Sequence, residues 1–240
     1  MKQSNLLDHI QLPDITLSLF DESIILTSKK SCLLLYPDKS SFLKQVLPQL
    51  VKHKSITLVI SCMDNDIIRK CFDHVITTKT FPETIKILED LFNCDTLSKY
   101  VLKFLDVEIQ FIVVHNISAF YYDLEVLDKY NYKKLGFVTY NPNIPHEYYY
   151  NSLGYLLNKI CAKYKCSGIV TSYDLEFNCG VVGTYSYKPQ DDLQIFTKLP
   201  VSFIKLFDMA IHLNRSKEID IIKQTWKKIT TLRILWIYNE

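Results

Sequence analysis

The chain has 240 residues, of which 48% are hydrophobic, and its formal net charge is only +2. That apolar content excludes a disordered chain and suffices for one α/β domain, which we predict to span residues 1–240. The longest apolar runs fall far short of the roughly 20 residues that a membrane-spanning helix needs, so we expect no membrane partner.

Short apolar runs separated by amphipathic segments predict alternating strands and helices. Several runs are nearly continuous, as in IQFIVVH at 109–115, which is typical of a parallel strand covered on both faces. The predicted strands, in chain order, are Ser23–Thr27, Cys32–Tyr36, Ile56–Ser61, His74–Thr77, Ile109–His115 and Gly168–Ser172.

The segments between and after these strands include four predicted helices. In FPETIKILEDLF, for example, Pro82 and Glu83 lie in the first turn and apolar residues come after them at helical spacing. Such alternation indicates an α/β fold with a mostly parallel central sheet flanked by helices. The predicted helices are Ser41–Lys52, Pro82–Phe92, Thr96–Leu105 and Tyr148–Lys165.

The C-terminal part of the chain changes character. From residue 208 onwards the pattern suggests consecutive strands with short turns, which predicts an antiparallel extension of the same sheet. Two long segments without a clear period, Tyr121–His146 and Asp174–Asp192, are predicted loops. Loops of that length in a compact domain are usually functional or mobile.

Seven cysteines are spread along the chain, none of them in a C-x-x-C pair or beside a histidine in a zinc pattern. We therefore predict reduced, buried thiols, as in a cytosolic or nuclear protein, and no metal site. The polar segment after Met1 has no apolar stretch of the kind found in a signal peptide, so none is expected.

The stretch CLLLYPDKSSFLKQVLPQL at 32–50 has the order strand, loop, Lys-Ser, helix, which is the order of a nucleotide-binding P-loop. Aligning Lys39 and Ser40 with the Lys-Ser pair puts Leu33 and Asp38 where two glycines belong. The chain has no glycine before Gly136, so no glycine-rich phosphate cradle exists in its first half. We interpret this site as degenerate, and Lys39 is also explained as a solvated lysine at a helix start.

The metal-binding half of such a site is substituted as well. A working site has a hydrophobic strand ending in an aspartate that holds Mg²⁺, whereas the matching run here ends in His115. Mg²⁺ prefers carboxylate oxygens to imidazole. Asp38, Lys39, Ser40 and His115 therefore mark a nucleotide site that we predict to be inactive. The chain is accordingly predicted not to be an enzyme and to need no cofactor, although an ATPase with a divergent pocket remains an alternative.

Three segments in this order resemble the RecA-type recombinase core, and specifically its degenerate recombinase paralogues. The segment 108–123 is similar to the metal-binding strand of that family and to the residues directly after that strand. The segment 149–177 is similar to the family's next helix, the strand after it and the start of the second DNA-binding loop. The segment 197–215 is similar to a later segment that ends in a strand with a basic residue. Within that group the chain is most similar to the platinum-sensitivity (Psy) subunits of the Shu complex.

The resemblance implies a RecA-like core and a non-catalytic DNA-binding subunit of a recombination-mediator complex. Such a subunit forms a heterodimer with a second recombinase-like subunit, joins further Shu-type subunits, and binds single-stranded or forked DNA. The complex promotes assembly of the recombinase filament in homologous recombination and error-free DNA damage tolerance, which implies a nuclear location.

Carried over by position, the family's DNA contacts fall on the two predicted loops. Lysine supplies salt-sensitive phosphate affinity and tyrosine can stack on unpaired bases. The second loop also has four acidic residues, so it is less basic than a DNA-binding loop should be. The predicted DNA-binding residues are Lys129, Lys133 and Lys134 in the first loop, Tyr185, Tyr187 and Lys188 in the second, and Lys227 and Lys228 at a predicted C-terminal turn.

The N-terminal segment 1–22 has apolar residues without a strong period. In filament-forming relatives a segment near the front docks onto a neighbouring core, so these residues are candidate partner contacts, although packing on their own sheet also explains them. The candidates are Leu6, Leu7, Ile10, Leu12 and Phe20. A protein that contacts only other proteins, as a structural adaptor, is the second alternative, and the near-neutral charge favours it.

Overall fold

The fold is known from a computed structural model that describes residues 17–19, 24–94, 109–121, 146–173, 199–213, 219–224 and 232–234. The strands are β1 (Leu17–Leu19), β2 (Ile24–Leu26), β3 (Ser31–Tyr36), β4 (Thr57–Cys62), β5 (His74–Thr78), β6 (Phe111–His115), β7 (Ser167–Tyr173), β8 (Met209–Leu213), β9 (Ile219–Gln224) and β10 (Leu232–Ile234). The helices are α1 (Lys39–Ser41, a π-helical stretch Phe42–Val46, then Leu47–Val51), α2 (Asp66–Cys71), α3 (Phe81–Asn93), α4 (His146–Tyr164) and α5 (Val201–Ile204), with 3₁₀ turns at Lys54–Ile56 and Ile117–Phe120.

The main sheet has eight strands in the order β10-β9-β8-β3-β7-β6-β4-β5, and β1 and β2 form a separate antiparallel pair. The six strands from β8 to β5 are parallel to one another. On the outer side of β8, β9 pairs antiparallel with β8, and β10 pairs antiparallel with β9. The predicted α/β class, with a mostly parallel sheet flanked by helices, is confirmed.

Both faces of the parallel sheet are covered, because strand side chains alternate between two hydrophobic cores. On one face, Leu33 and Leu35 of β3 pack in a cluster with residues of α3, α4 and α5. On the other, Leu34 and Tyr36 pack with residues of α1 and α2. All six residues of β3 are buried, which explains why its sequence is a continuous apolar run and not an alternating one.

Side chains that accept hydrogen bonds from free N–H groups mark the first residues of two helices. Thr80 caps α3 by accepting a hydrogen bond from the Glu83 N–H, and Asn65 caps α2 by accepting from the N–H groups of Ile67 and Ile68. Sequence analysis missed α2, because six residues are too few to show a helical period. The predicted helix Thr96–Leu105 lies outside the described residues, and the other three predicted helices are confirmed within a few residues.

The π-helical stretch in α1 is followed directly by Leu47 and Pro48. In a regular α-helix this proline would clash with the carbonyl group of Lys44, four residues earlier. The wider turn, in which the Leu47 N–H donates to the Phe42 carbonyl, relieves that crowding.

The six described cysteines are free thiols, four of them buried, while Cys179 lies outside the described residues. Burial raises the pKa of the Cys62 thiol to about 12, so it stays protonated at neutral pH. None of the described helices is long and apolar enough to cross a membrane.

The contact between α4 and β7 depends on a glycine. A Cβ atom at Gly168 would lie 2.8 Å from Cys161 Sγ and 2.8 Å from Leu157 Cγ, and both of these side chains are fully buried. We expect Gly168→Ala to lower the free energy of unfolding by about 1–3 kcal/mol, because the core cannot yield to the added methyl group. Denaturant unfolding measures the change.

Gly154→Ala is the matched control. Its Cβ would meet the end of the Leu206 side chain at 2.7 Å, but Leu206 is only half-buried and can move. Alanine also gains about 1 kcal/mol of helix propensity over glycine at this position in α4. Equal losses of stability in the two variants would contradict the assignment of Gly168 to a rigid contact.

Candidate functional site

The candidate site lies at the carboxyl ends of β3, β7, β6 and β4, which are neighbours in the parallel sheet. Carboxyl ends of parallel strands meet at one edge, and ligands of open α/β sheets bind at such an edge. Here the residues after β3, namely Pro37, Asp38 and the start of α1, lie beside Tyr173 at the end of β7 and His115 at the end of β6.

The first predicted glycine position is not in a loop at all. Leu33 is fully buried in the middle of β3, paired with Val170 of β7 and Ala210 of β8. The strand continues to Tyr36, so only Pro37 and Asp38 connect it to α1. A connection this short has too few peptide N–H groups to surround a triphosphate.

The second predicted glycine position caps the helix. Asp38 Oδ1 accepts a hydrogen bond of 2.7 Å from the Ser41 N–H, and the Asp38 carbonyl accepts one of 3.2 Å from the Phe42 N–H. A carboxylate at a helix N-terminus satisfies its free N–H groups and its partial positive charge. One N–H at the helix start, that of Ser41, is therefore bound to the chain's own carboxylate and not free for phosphate. Lys39 and Ser40 come directly after the cap as exposed residues.

Aromatic rings fill the space beside this cap. Phe42 lies 5.2 Å from Tyr36 and 4.5 Å from the imidazole of His115, measured between ring centroids. Tyr36 also makes an edge contact with Tyr173 at 4.8 Å. We call Tyr36, Phe42, His115 and Tyr173 the aromatic cluster. It puts apolar surface where a metal-nucleotide site would need charged and polar groups.

His115 is held as a buried, neutral ring. Its Nδ1 lies 2.9 Å from the hydroxyl of the fully buried Thr171, which also accepts a 3.0 Å hydrogen bond from the Asn116 N–H. Burial lowers the pKa of His115 to about 4, well below its ordinary value of 6.5. Among the described residues, no group of three His, Cys, Asp or Glu side chains could hold a metal ion.

A cavity of about 180 Å³ lies against the aromatic cluster. Its wall combines aromatic rings with polar and charged groups, among them Lys39 and the side chains of Asn65 and Asn116. The lining residues are Tyr36, Lys39, Phe42, Leu43, Asn65, Ile67, His115, Asn116 and Tyr173.

The structure brings the four residues of the predicted inactive site to this edge, but it does not describe the other candidates. The predicted DNA-binding residues in 122–145, 174–198 and 225–231 lie outside the described residues, as do the predicted partner contacts in 1–16 and Phe20. Their roles stay predictions. The described chain does fix where both predicted DNA-binding loops begin, because Tyr121 lies shortly after β6 and Tyr173 ends β7.

Sequence reasoning missed Phe42, Tyr173, Thr171 and Asn65 as parts of the site. Each is an ordinary core or capping residue by local pattern, so only the pairing of β3, β6 and β7 could bring them together. The one available signal was the aromatic residue three positions after Lys39, which no phosphate-binding loop requires.

The buried imidazole predicts a pH dependence of stability. Unfolding exposes His115, whose pKa returns from about 4 to 6.5, so the unfolded chain binds more protons between these values. The stabilisation is therefore present above pH 6.5 and is lost as the pH falls towards 4. We expect the free energy of unfolding to drop by about 2 kcal/mol from this group between pH 7 and pH 5.

Denaturant unfolding of the wild type and of His115→Gln across this pH range isolates the effect. The variant should show a flatter pH profile, since glutamine does not titrate. His53→Gln is the control, because His53 is only partly buried and its pKa is lowered by partial desolvation and then by Lys52. An unchanged slope in His115→Gln would show that this ring is not kept neutral.

Comparison with known proteins gives the family. No curated protein matches the chain with significant similarity. A family model described as "Shu complex component Psy3, DNA-binding description" matches residues 21–218, which include the whole candidate site. The resemblance to Psy subunits found in the sequence is thereby confirmed. Since the match covers well over half of the 240 residues, the chain belongs to the family of the Shu complex component Psy3.

Proposed function

We propose that the chain is a non-catalytic, DNA-binding subunit of a Shu-type recombination-mediator complex. The observation that carries the proposal is the family match over residues 21–218, whose description includes DNA binding. In this role the protein has a RecA-like core, acts in the nucleus, and promotes recombinase filament assembly during homologous recombination and error-free DNA damage tolerance.

The geometry of the inactive site supports a role without catalysis. The Ser41 N–H at the start of α1 is bound to the Asp38 carboxylate, and His115 lies where a carboxylate would hold Mg²⁺. Adding a triphosphate would bring like charge to Asp38, at a cost of about 1–4 kcal/mol at 4 Å depending on screening. That repulsion opposes the attraction of Lys39 for a triphosphate, and His115 offers no carboxylate to a metal ion.

The described residues that precede the predicted loops support DNA binding at the carboxyl edge. The segments after Tyr121 and Tyr173 start from neighbouring strands, so residues on both can reach one ligand. In this proposal Lys129, Lys133, Lys134 and Lys188 contact phosphates and Tyr185 and Tyr187 stack on bases, while Lys227 and Lys228 extend the path. The DNA is single-stranded or forked.

The working unit in this proposal is a heterodimer with a second recombinase-like subunit, joined by further Shu-type subunits. Leu6, Leu7, Ile10, Leu12 and Phe20 are the proposed partner contacts. Apolar residues without a regular period are suited to docking in a groove of a neighbouring core, as in filament-forming relatives. The recombinase filament is the further partner.

A protein-only structural adaptor is the second candidate, and one surface feature favours it. Tyr148 and Tyr155 are 58% and 57% exposed, and their spacing of seven residues puts them on one face of α4. Tyrosine is enriched in protein interfaces because it combines apolar area with a polar end. With a net charge of only +2, such a protein could assemble partners without holding DNA itself.

Salt-dependent DNA binding separates the two candidates. We expect Lys129/Lys133/Lys134→Ala to weaken binding of single-stranded DNA and to reduce the slope of log K against log salt by about 2, since three phosphate contacts are lost. Fluorescence anisotropy over a salt series measures this, on the chain alone and co-purified with its recombinase-like partner. Lys52/Lys54/Lys205→Ala is the control, because these lysines lie before amino ends of the parallel strands.

Each measurement is repeated with and without Mg·ATP. Binding that requires ATP would overturn the proposal of an inactive nucleotide site. Absence of binding by both preparations would leave the protein-only adaptor as the better account. An equal loss in the control variant would show that total charge, and not the first loop, determines the affinity.

A further inference from the structure

The cavity beside the aromatic cluster is not explained by the loss of nucleotide binding. A site that had only been filled in would be closed, whereas about 180 Å³ remains between α1, the turn before α2 and the end of β6. Its wall is partly polar, and it opens to solvent beside Lys39.

The size of the cavity restricts what can occupy it. Pockets for drug-sized ligands are roughly 300–1,000 Å³, so a complete nucleoside triphosphate exceeds this space. The charge at the rim also disfavours an anion as the main ligand. Lys39 is exposed there, but the carboxylate of Asp38 is next to it and contributes, after burial, to a raised pKa of Tyr173.

The lining instead fits a small, flat, neutral ligand with hydrogen-bond acceptors. Tyr173, the partly exposed ring of the aromatic cluster, supplies aromatic surface. The Oδ1 of Asn65 accepts from the N–H groups that it caps, and the Oδ1 of Asn116 accepts from the Ser118 hydroxyl. This leaves the amide Nδ2 of each asparagine as its donor. Nucleobases have acceptor nitrogen and oxygen atoms on their edges and a face that stacks on aromatic rings.

The surroundings of the cavity indicate where such a base comes from. Asn116 and Tyr173 line the cavity, and each lies at or directly after the end of a strand that leads into a predicted DNA-binding loop. A DNA strand bound where β6 and β7 end would lie next to the cavity mouth. Lys39 is exposed at that mouth, and no carboxylate within the described ranges forms an ion pair with it.

We propose that this cavity binds one unstacked nucleobase of single-stranded DNA, with Lys39 contacting a neighbouring phosphate. The proposal rests on the proposed function and extends it, because it assigns a part of the DNA to the former nucleotide site. The base stacks on Tyr173, the ring of the aromatic cluster that is not buried, and accepts hydrogen bonds from Asn116 and Asn65. The role of Lys39 changes from a contact with free nucleotide to a contact with the DNA backbone.

The test compares an intact oligothymidine with an abasic strand of the same length, bound to the chain co-purified with its recombinase-like partner. Leu43→Trp places a large ring in the cavity without removing any of its polar groups. We expect this variant to lose about tenfold in affinity for the intact strand and nothing for the abasic strand. Asn116→Asp, which exchanges a donor for an acceptor, should lower the preference for the intact strand in the same way.

Lys39→Ala and Lys44→Ala form a matched pair, since both lysines are exposed on α1 and only Lys39 lines the cavity. We expect Lys39→Ala to weaken binding of both strands and Lys44→Ala to weaken neither. Thermal unfolding of each variant shows whether it is folded, and Asn116→Asp replaces Leu43→Trp if the latter is not.

The outcomes separate this inference from the function on which it rests. If the wild type binds no single strand, the proposed function fails. If it binds DNA but the preference for the intact strand is unchanged in both Leu43→Trp and Asn116→Asp, the base site alone is wrong. If millimolar Mg·ATP displaces the intact strand, the cavity takes a free nucleotide and the base site is also wrong.

Discussion

Burial of both faces of the six parallel strands is the constraint on which the rest of the structure depends. A sheet of this kind is stable only when helices cover each face, and here α3 and α4 cover one face while α1 and α2 cover the other. A connection between two parallel strands must run from the carboxyl end of one strand to the amino end of the next. Turns and loops therefore collect at these two ends of the strands. The carboxyl edge, where the parallel strands end, brings together residues that are distant in sequence.

Polar groups at the ends of the sheet fix its register, because buried strand ends leave donors and acceptors that need partners. At the amino edge, the Asp208 carboxylate accepts from the Ser31 N–H at 2.9 Å and pairs with Lys30 at 3.1 Å, which ties the start of β3 to the start of β8. At the carboxyl edge, the Thr171 hydroxyl is hydrogen-bonded to His115 Nδ1 and accepts a hydrogen bond from the Asn116 N–H, both at the end of the neighbouring strand β6. The second of these ties lies in the candidate site itself, so fold and site share the same contacts.

Local contacts occupy the carboxyl edge at the place where the sequence predicts an inactive nucleotide site. Asp38 satisfies the helix start that phosphate would otherwise satisfy, and Phe42 and His115 stack in the adjoining space at 4.5 Å. These contacts stabilise the chain without a ligand. The edge is thus lined by aromatic rings, and the strands that lead into both predicted DNA-binding loops end there.

By itself the sequence determined the α/β class, five of the six parallel strands and the extent of the long helices, because continuous apolar runs and helical spacing are local properties of the chain. It also showed that the glycines and the metal-binding aspartate of a nucleotide site are missing, and which family it resembles. It did not predict the six-residue helix α2, which is too short to show a period, or the exposed Met63 at positive φ after β4. Only the tertiary structure decided that Leu33 lies within a strand, that Asp38 caps α1, and that Tyr36, Phe42, His115 and Tyr173 form one cluster beside a cavity. The physical reason is that strand order places β3 beside β7 and β7 beside β6, a pairing between residues more than fifty positions apart that no local pattern encodes.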